Sequence, residues 1–156
     1  MPNAKSWRTP WRAPSSPRTP SPAPTSGEAL ARFDRLARIY DLLPIPTQPD
    51  TVRQTLANLD GPGLDLGGGT GRFTGSLHAE RSPRVLADRS RGMLARARRA
   101  ERSVAPILAD GVDLPLADAS VGAVTVTEAF HHFAPDQEAI VAEIARVLRP
   151  EGGFAV

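Results

Sequence analysis

The sequence contains no cysteine, which excludes a disulfide framework, zinc-finger spacing and a cysteine nucleophile. No apolar run approaches the roughly 20 residues that a membrane-spanning helix requires. The first residues also lack the apolar stretch of a secretory signal peptide. We therefore expect a soluble, cytoplasmic protein that has no membrane span and no metal site.

Acidic residues and aliphatic side chains are scarce at the start of the chain. Positions 1–27 contain four basic residues, no acidic residue and seven of the 16 prolines. Such a segment cannot bury enough apolar surface to offset the entropy lost on ordering. We expect a disordered tail over 1–27, or an over-long start assignment. Alternatively, Trp7, Trp11 and the cations form a weak anchor for nucleic acid, anionic lipid or a partner.

The rest of the chain is slightly acidic, although the complete sequence has a formal charge of +2. Positions 28–156 hold 15 basic and 17 acidic residues, which argues against a basic nucleic-acid-binding domain. Eight arginines are concentrated between Arg81 and Arg102. Because no aromatic residues lie between them to stack on bases, we interpret them as a solvated helix face and expect no nucleic acid partner.

Short apolar runs alternate with stretches of helical periodicity from position 28 onwards. The predicted strands are fully apolar, which is typical of a parallel sheet covered by helices. The pattern predicts helices over 28–42, 71–79, 91–102 and 136–148, a short helix around 52–59, and strands over 64–66, 84–88, 104–108, 122–127 and 154–156.

A glycine-rich turn follows the first predicted strand and contains Gly67, Gly69 and Gly71. Glycines at this point allow a tight turn and let a ligand approach the backbone closely. A phosphate-binding P-loop would require Gly-Lys-Ser/Thr, whereas Gly71 is followed by Arg72. A dinucleotide fingerprint would require glycine at position 72 or 74. The pattern present here starts at Asp65 and is D-x-G-x-G-x-G.

This pattern and the segments around it resemble the motifs of the class I S-adenosylmethionine-dependent methyltransferases. The resemblance is close to the ubiquinone/menaquinone-biosynthesis type and extends from about Phe33 to Val156. The segments that carry it, in chain order, are Tyr40-Asp41, Asp65–Gly71, Val85–Asp88 followed by Ser90, Met93 and Leu94, Leu108–Ser120, Glu128–His132 and Glu143–Gly153.

The resemblance implies a site for S-adenosylmethionine. In that family the acid that ends the second strand accepts hydrogen bonds from both ribose hydroxyls, which assigns this role to Asp88. The acid after the third strand accepts from the adenine amino group, which corresponds to Asp110, and the backbone of Gly111 would meet the ring edge. Asp65 would orient the turn or the ligand's ammonium group. The predicted cofactor-binding residues are Tyr40, Asp65, Gly67, Gly69, Gly71, Asp88, Asp110 and Gly111.

The implied reaction is methyl transfer to a small-molecule acceptor. An activated sulfonium methyl needs mainly proximity and alignment, but an oxygen or carbon acceptor can also need a base. His131 and His132 follow the fourth strand, where an acceptor would lie, and are the candidate catalytic residues. Glu128 is a further candidate. Alternatively, the histidines only cap or pack the start of the next helix.

The resemblance also implies a Rossmann-like parallel sheet with helices on both faces. The family sheet continues past strand five into a hairpin of strands six and seven, whereas this sequence stops about three residues into strand five. We therefore expect residues 28–156 to form a methyltransferase domain that is incomplete at its C-terminus and lacks that hairpin. The explanations left open are a shortened gene, a partner or dimer that covers the exposed sheet edge, and a compact functional form.

Two alternative functions stay open at this point. One is a non-catalytic remnant that keeps the fold and binds the cofactor without turnover. The other is a nicotinamide-dependent dehydrogenase, which Arg72 and Thr74 disfavour because the dinucleotide fingerprint has glycine there.

Overall fold

The computed structural model describes residues 26–44, 49–100 and 103–156. The predicted tail over 1–27 lies almost entirely outside these residues, so its disorder stays a prediction. None of the helices in the described ranges is both long and apolar enough to cross a membrane.

Within these ranges, five strands form a single sheet in which all neighbouring strands are parallel. The strand order is β3-β2-β1-β4-β5, so β1 lies at the centre, with Leu64 paired to Val85 on one side and to Val124 on the other. The strands are β1 (Gly63–Leu66), β2 (Arg84–Asp88), β3 (Val104–Leu108), β4 (Val121–Thr125) and β5 (Leu148–Ala155).

In the residues that the structure describes, five α-helices and two short 3-10 helices connect and cover these strands. The α-helices are α1 (Ser26–Leu36), α2 (Pro49–Thr55), α3 (Thr74–Leu77), α4 (Arg91–Ala100) and α5 (Gln137–Val147), and the 3-10 helices are Tyr40–Leu42 and Phe130–Phe133.

The order of the strands places helices on both faces of the sheet. Right-handed crossovers from β1 through α3 to β2 and from β2 through α4 to β3 put α3 and α4 on one face. Because β4 lies on the other side of β1, the crossover through α5 to β5 covers the opposite face. Accordingly, Leu94 of α4 packs with Leu86 and Val104 in one cluster, whereas Ile140 and Ile144 of α5 belong to another. The predicted Rossmann-like architecture is thereby confirmed, and no hairpin follows β5 in the described part of the chain.

Several predicted boundaries were wrong, for identifiable reasons. The predicted helix over 28–42 ends at Leu36, and a separate 3-10 turn follows it. The predicted helix over 71–79 is reduced to four residues, because Gly71 has a positive φ of 77° that no α-helix contains. The fifth strand begins at Leu148, six residues before the predicted start. A register shift interrupts its pairing with β4, so the apolar pattern is visible only at its end.

The chain order reverses at β1, which has β2 on one side and β4 on the other. In open α/β sheets, ligands bind in the crevice outside the carboxyl ends of the strands at such a reversal. The turn after β1, the end of β2 and the loops after β3 and β4 all meet there. This edge of the sheet is therefore the place to look for a site.

Candidate functional site

A cavity of about 250 Å³ opens at the carboxyl ends of β1 to β4. The glycine turn forms its floor, and α1 with the following 3-10 helix covers it from above. The residues that line it include Leu30, Phe33, Tyr40, Gly67, Gly69, Asp88, Arg89, Asp110, Gly111, Glu128, His132 and Phe133. Seven of the predicted site residues and the further candidate Glu128 thus line one cavity, although they come from five separate segments of the sequence.

The glycine turn is held in a conformation that only glycine adopts without strain. Gly67, Gly69 and Gly71 have φ values of 73°, 58° and 77°, in the left-handed region that costs other residues conformational energy. The Gly67 amide donates to the Ala87 carbonyl at 2.7 Å and so fixes the turn to β2. Gly71 faces Leu86 and is not among the residues that line the cavity.

Gly67 and Gly69 differ in the space around them, which gives a matched pair of variants. A Cβ on Gly67 would lie 2.7 Å from the Ala129 Cβ, whereas a Cβ on Gly69 would have only the Met93 sulfur at 3.9 Å. We expect Gly67→Ala to lower the free energy of unfolding by about 3 kcal/mol, from backbone strain and overpacking. Gly69→Ala should cost about 1 kcal/mol from the backbone alone. Urea unfolding measures both, and equal losses would contradict this account.

Asp88 ends β2 and supplies a carboxylate to the cavity wall. Its Oδ2 accepts a hydrogen bond from the Gly69 amide at 2.9 Å, and its Oδ1 accepts from the Ser90 amide at 2.7 Å. Burial raises the pKa of Asp88, while the amides of Ser90, Gly69 and Arg89 oppose that rise. The carboxylate therefore ties the glycine turn to β2, and each oxygen keeps a lone pair for a ligand hydroxyl.

Asp110 follows β3 and lies across the cavity from the glycine turn. Its Oδ2 is 3.4 Å from the Arg89 Nε, and both side chains are about two-fifths exposed. Its Oδ1 accepts from the Val112 amide at 3.3 Å. Gly111 is buried and packs against Ile140, 3.1 Å from where a Cβ would lie. Sequence reasoning did not identify Arg89, which lines the cavity and forms this contact with Asp110.

Asp65 lies beneath the turn and does not line the large cavity. It is 1% exposed and borders a smaller cavity of about 30 Å³, together with Gly67, Gly68, Gly69 and Thr70. Burial raises the pKa of Asp65 to about 6, against hydrogen bonds from Thr74 and Thr125 that lower it. Sequence reasoning missed Thr125, although a threonine inside an otherwise apolar strand was a usable signal.

Two carboxylates of residues 26–44, which we call the leader segment, hold the cover of the cavity in place. Asp41 accepts from the Thr70 hydroxyl and from the Arg96 guanidinium, each at 2.5 Å. Asp34 accepts from the Ser90 hydroxyl at 2.5 Å and from the Gly92 amide at 2.8 Å. These contacts fix α1 and the next turn against the glycine turn and the start of α4. The sequence motifs indicated Tyr40 and Asp41, whereas nothing in the local sequence pattern indicated Asp34.

Tyr40 lies at the junction of the two cavities and lines both. Burial, followed by the Glu128 and Asp88 carboxylates, raises the pKa of its phenol. Glu128 also lines both cavities and has a positive φ of 56°, an uncommon conformation for a glutamate. A phenol and a carboxylate therefore border both cavities.

The two predicted catalytic histidines occupy different positions. Both lie in the 3-10 helix Phe130–Phe133, but His132 lines the cavity and His131 does not. The His132 ring packs edge-to-face against Phe33, with centroids 5.3 Å apart, and is 3.9 Å from the His131 ring. Burial, and then the neighbouring His131, lowers the pKa of His132. A neutral imidazole therefore faces an aromatic part of the cavity at neutral pH.

Similarity to known proteins agrees with this arrangement. A family model described as a methyltransferase domain matches residues 64–156. The demethylmenaquinone methyltransferase of Mycobacterium sp. (strain KMS) is 39% identical over 137 residues, which cover 83% of this chain and 58% of the relative. The chain thus spans under two thirds of the length of that curated relative.

Two solved structures illustrate the likeness in fold. One is a putative methyltransferase of Haloferax volcanii in a complex with the Trm112 methyltransferase activator. It has 29% identity and a TM-score of 0.63, with 78% of this chain and 57% of that chain covered. The other is DhpI in a complex with SAM and HEP, with 24% identity, a TM-score of 0.66, and coverage of 82% of this chain and 63% of that chain.

Proposed function

Since the chain belongs to the class I S-adenosylmethionine-dependent methyltransferases, we propose that its large cavity binds S-adenosylmethionine and that the protein methylates a small-molecule acceptor. The observation that carries this proposal is the contact between the glycine turn and the end of β2. There the Gly69 amide and the Asp88 carboxylate, 2.9 Å apart, border one face of the cavity.

The residues present fit such a cofactor. The space above Gly69 leaves room for a ligand against the backbone, because only the Met93 sulfur, at 3.9 Å, lies within 4 Å of a Cβ placed there. Acceptors for the ribose hydroxyls and for the adenine amino group are available from Asp88 and Asp110. The Asp65 carboxylate beneath the turn favours a ligand that carries positive charge. We assign the ribose hydroxyls of the cofactor to Asp88 and its adenine edge to Asp110 and Gly111. We assign its amino-acid end to the side of the cavity that Tyr40 borders.

When bound, S-adenosylmethionine would supply an electrophilic methyl group on a sulfonium. The protein's own contribution is to hold the two partners in line and to exclude water. Phe33 and Tyr40 from the leader segment cover the cavity, and Asp34 and Asp41 anchor that cover. His132 faces the space left for the acceptor and can take a proton from it.

We further propose that the acceptor is a hydroxylated aromatic ring of the demethylmenaquinol type. The printed activity of the relatives supports this choice, as do the aromatic side chains of Phe33, His132 and Phe133 at the cavity wall. An aromatic hydroxyl that is deprotonated activates the adjacent ring carbon toward the methyl group. A neutral histidine within the cavity provides the base for that step.

Transfer of a labelled methyl group tests this function. We expect the chain, incubated with methyl-labelled S-adenosylmethionine and a demethylmenaquinol, to give the labelled methylated quinol in an amount that depends on protein concentration. Cofactor binding without transfer would support the alternative of a non-catalytic binding protein. Absence of both binding and transfer would overturn the proposal.

A further inference from the structure

The segment that covers the large cavity has apolar side chains on its outer surface. Ile39, Leu42 and Leu43 are 50%, 80% and 41% exposed, although aliphatic side chains of this size favour the protein interior. They lie in or beside the 3-10 helix Tyr40–Leu42, and Tyr40 of the same helix lines the cavity. The exposed apolar side chains are therefore adjacent to the cavity in which we place the acceptor.

Exposed arginines lie near these apolar side chains, on the leader segment and on α4. The two segments are in contact, because Asp34 accepts from the Gly92 amide at 2.8 Å and Arg96 donates to the Arg38 carbonyl at 3.3 Å. None of the exposed arginines takes part in an ion pair between residues that the structure describes. We give the name basic apolar face to the surface formed by Arg32, Arg35, Arg38, Arg98, Arg99, Ile39, Leu42 and Leu43.

The charge of the domain is distributed unevenly with respect to this face. Residues 30–44 and 91–100 contain seven arginines and two aspartates, a net charge of +5. The remainder of positions 28–156 contains eight basic and 15 acidic residues, a net charge of −7. Both aspartates near the face, Asp34 and Asp41, already accept hydrogen bonds within the fold. An anionic surface would therefore attract this face and repel the rest of the domain, which would orient the protein.

The chemistry of the face matches the surface of a bilayer that contains anionic lipids. Guanidinium groups bind lipid phosphates, while aliphatic side chains enter the boundary between the headgroups and the acyl chains. A single-stranded nucleic acid would instead be held by aromatic side chains that stack on its bases, and the face contains none. A symmetric dimer through this face would place its arginines against the same arginines of a second copy, which their repulsion disfavours.

We propose that the basic apolar face docks the protein on a bilayer that contains anionic lipids, and that the acceptor enters the large cavity from that bilayer. The second part rests on the proposed function, because the demethylmenaquinol proposed there is a lipid-soluble acceptor. Leu30, Phe33 and Tyr40 of the leader segment line the cavity, whereas Ile39 and Leu42 face outwards. One short segment thus contacts the lipid on its outer side and the acceptor on its inner side.

Co-sedimentation with vesicles measures the docking in the absence of cofactor and acceptor. We expect the unaltered chain to sediment with vesicles of equal parts phosphatidylglycerol and phosphatidylcholine, and to stay in solution with phosphatidylcholine alone. The binding should be largely lost at about 1 M salt, where charges are screened within about 3 Å. Binding of equal strength to both kinds of vesicle, or binding to neither, would overturn the inference.

Two double variants with the same change in net charge locate the contact. Arg98→Gln with Arg99→Gln removes two charges from the face and should weaken vesicle binding by about 25-fold. Arg53→Gln with Arg149→Gln removes two exposed charges from α2 and β5, outside the face, and should change the binding little. Equal losses in the two double variants would show that net charge alone governs the binding, and would overturn the assignment to this face.

Leu42→Ser tests the apolar part of the face. Because Leu42 is 80% exposed, the substitution removes little packing and should leave the urea unfolding curve unchanged. Vesicle binding should fall by about tenfold, since the variant loses apolar surface that the lipid would bury. Val141→Ser on α5, which removes an aliphatic side chain that is 42% exposed, is the matched control and should bind like the unaltered chain. A loss of the same size in Val141→Ser would contradict the proposal.

Methyl transfer to an acceptor presented in two ways tests the route of entry. With a demethylmenaquinol embedded in the anionic vesicles, Leu42→Ser should transfer the methyl group more slowly than the unaltered chain. With the same acceptor in micelles of an uncharged detergent, the two proteins should have equal rates. Equal slowing in vesicles and micelles would show that Leu42 affects the cavity itself, and would overturn entry from the bilayer.

The remaining outcomes separate this inference from the proposed function. Retention of single-stranded RNA in place of vesicles, or a dimer that Leu42→Ser abolishes, would overturn the docking and leave the proposed function intact. Vesicle binding by an unaltered chain that transfers no methyl group to the quinol in either presentation would support the docking. That result would overturn the proposed function and, with it, the route of entry.

Discussion

Replacing His132 with glutamine is expected to lower the rate of methyl transfer by about 10²–10⁴-fold, the usual contribution of a general base, and to leave the affinity for S-adenosylmethionine unchanged. His132 lines the cavity beside Phe33, where we place the acceptor. The proposed cofactor site instead uses the glycine turn and the ends of β2 and β3. Removal of the base from that position therefore slows proton abstraction and leaves the cofactor contacts unaltered.

The pH dependence of the single-turnover rate gives a second readout of His132. Because burial and the neighbouring His131 lower the pKa of His132, the base stays neutral at pH values below the ordinary histidine range. The rate should therefore decline on acidification only below about pH 6.5. Glutamine does not titrate, so this decline should vanish in His132→Gln.

His131→Gln is the matched control for that experiment. His131 is adjacent in the chain and stacks on His132, but it does not line the cavity. We expect a small change in rate and a slightly higher pKa for His132, because the Coulombic effect of His131 that lowers this pKa is removed. A larger loss in His131→Gln than in His132→Gln would contradict the assignment.

Replacing Asp88 with alanine is expected to weaken S-adenosylmethionine binding by about 30- to 150-fold. The variant loses charge-assisted hydrogen bonds to the ribose hydroxyls, which contribute about 2–3 kcal/mol. It also removes the acceptor of the Gly69 amide, which donates to Asp88 Oδ2 at 2.9 Å, so the glycine turn loses one of its hydrogen bonds to β2, while the bond from Gly67 to Ala87 stays. Both effects act on affinity rather than on the chemical step.

Calorimetry on Asp88→Ala, Asp88→Asn and Asp50→Ala measures this effect. The asparagine keeps one acceptor and should give an intermediate loss. Asp50 lies on α2 and only forms an exposed ion pair with Arg53, so its removal controls for the change in net charge. Similar affinities for Asp88→Ala and Asp50→Ala would show that Asp88 does not bind the cofactor.

The sequence pattern predicted the sheet well where strands are bounded by polar residues. The predicted bounds of β2 and β3, at 84–88 and 104–108, agree with the structure, because apolar runs there begin and end abruptly. The pattern failed where pairing overrides local composition. In β5, the polar segment 149–152 interrupts the apolar run, and only the register shift against β4 allows it to continue as a strand.

The motifs predicted many of the residues that line the cavity but few of the residues that hold those residues in place. Asp88, Asp110 and Gly67 were identified because they lie in segments that resemble the family motifs at the ends of predicted strands, and the structure places them around one cavity. Asp34 and His78 could not be identified in this way. Their partners, Gly92 and Thr125, are 58 and 47 positions away, so these contacts exist only after the fold has formed. The roles of all the site residues stay predictions.

Calorimetric titration of S-adenosylmethionine into the unaltered chain tests the central claim most directly. The account predicts one binding site per chain, competition by S-adenosylhomocysteine, and a large loss of affinity in Asp88→Ala. An absence of binding by a folded sample, or an affinity that Asp88→Ala leaves unchanged, would contradict it.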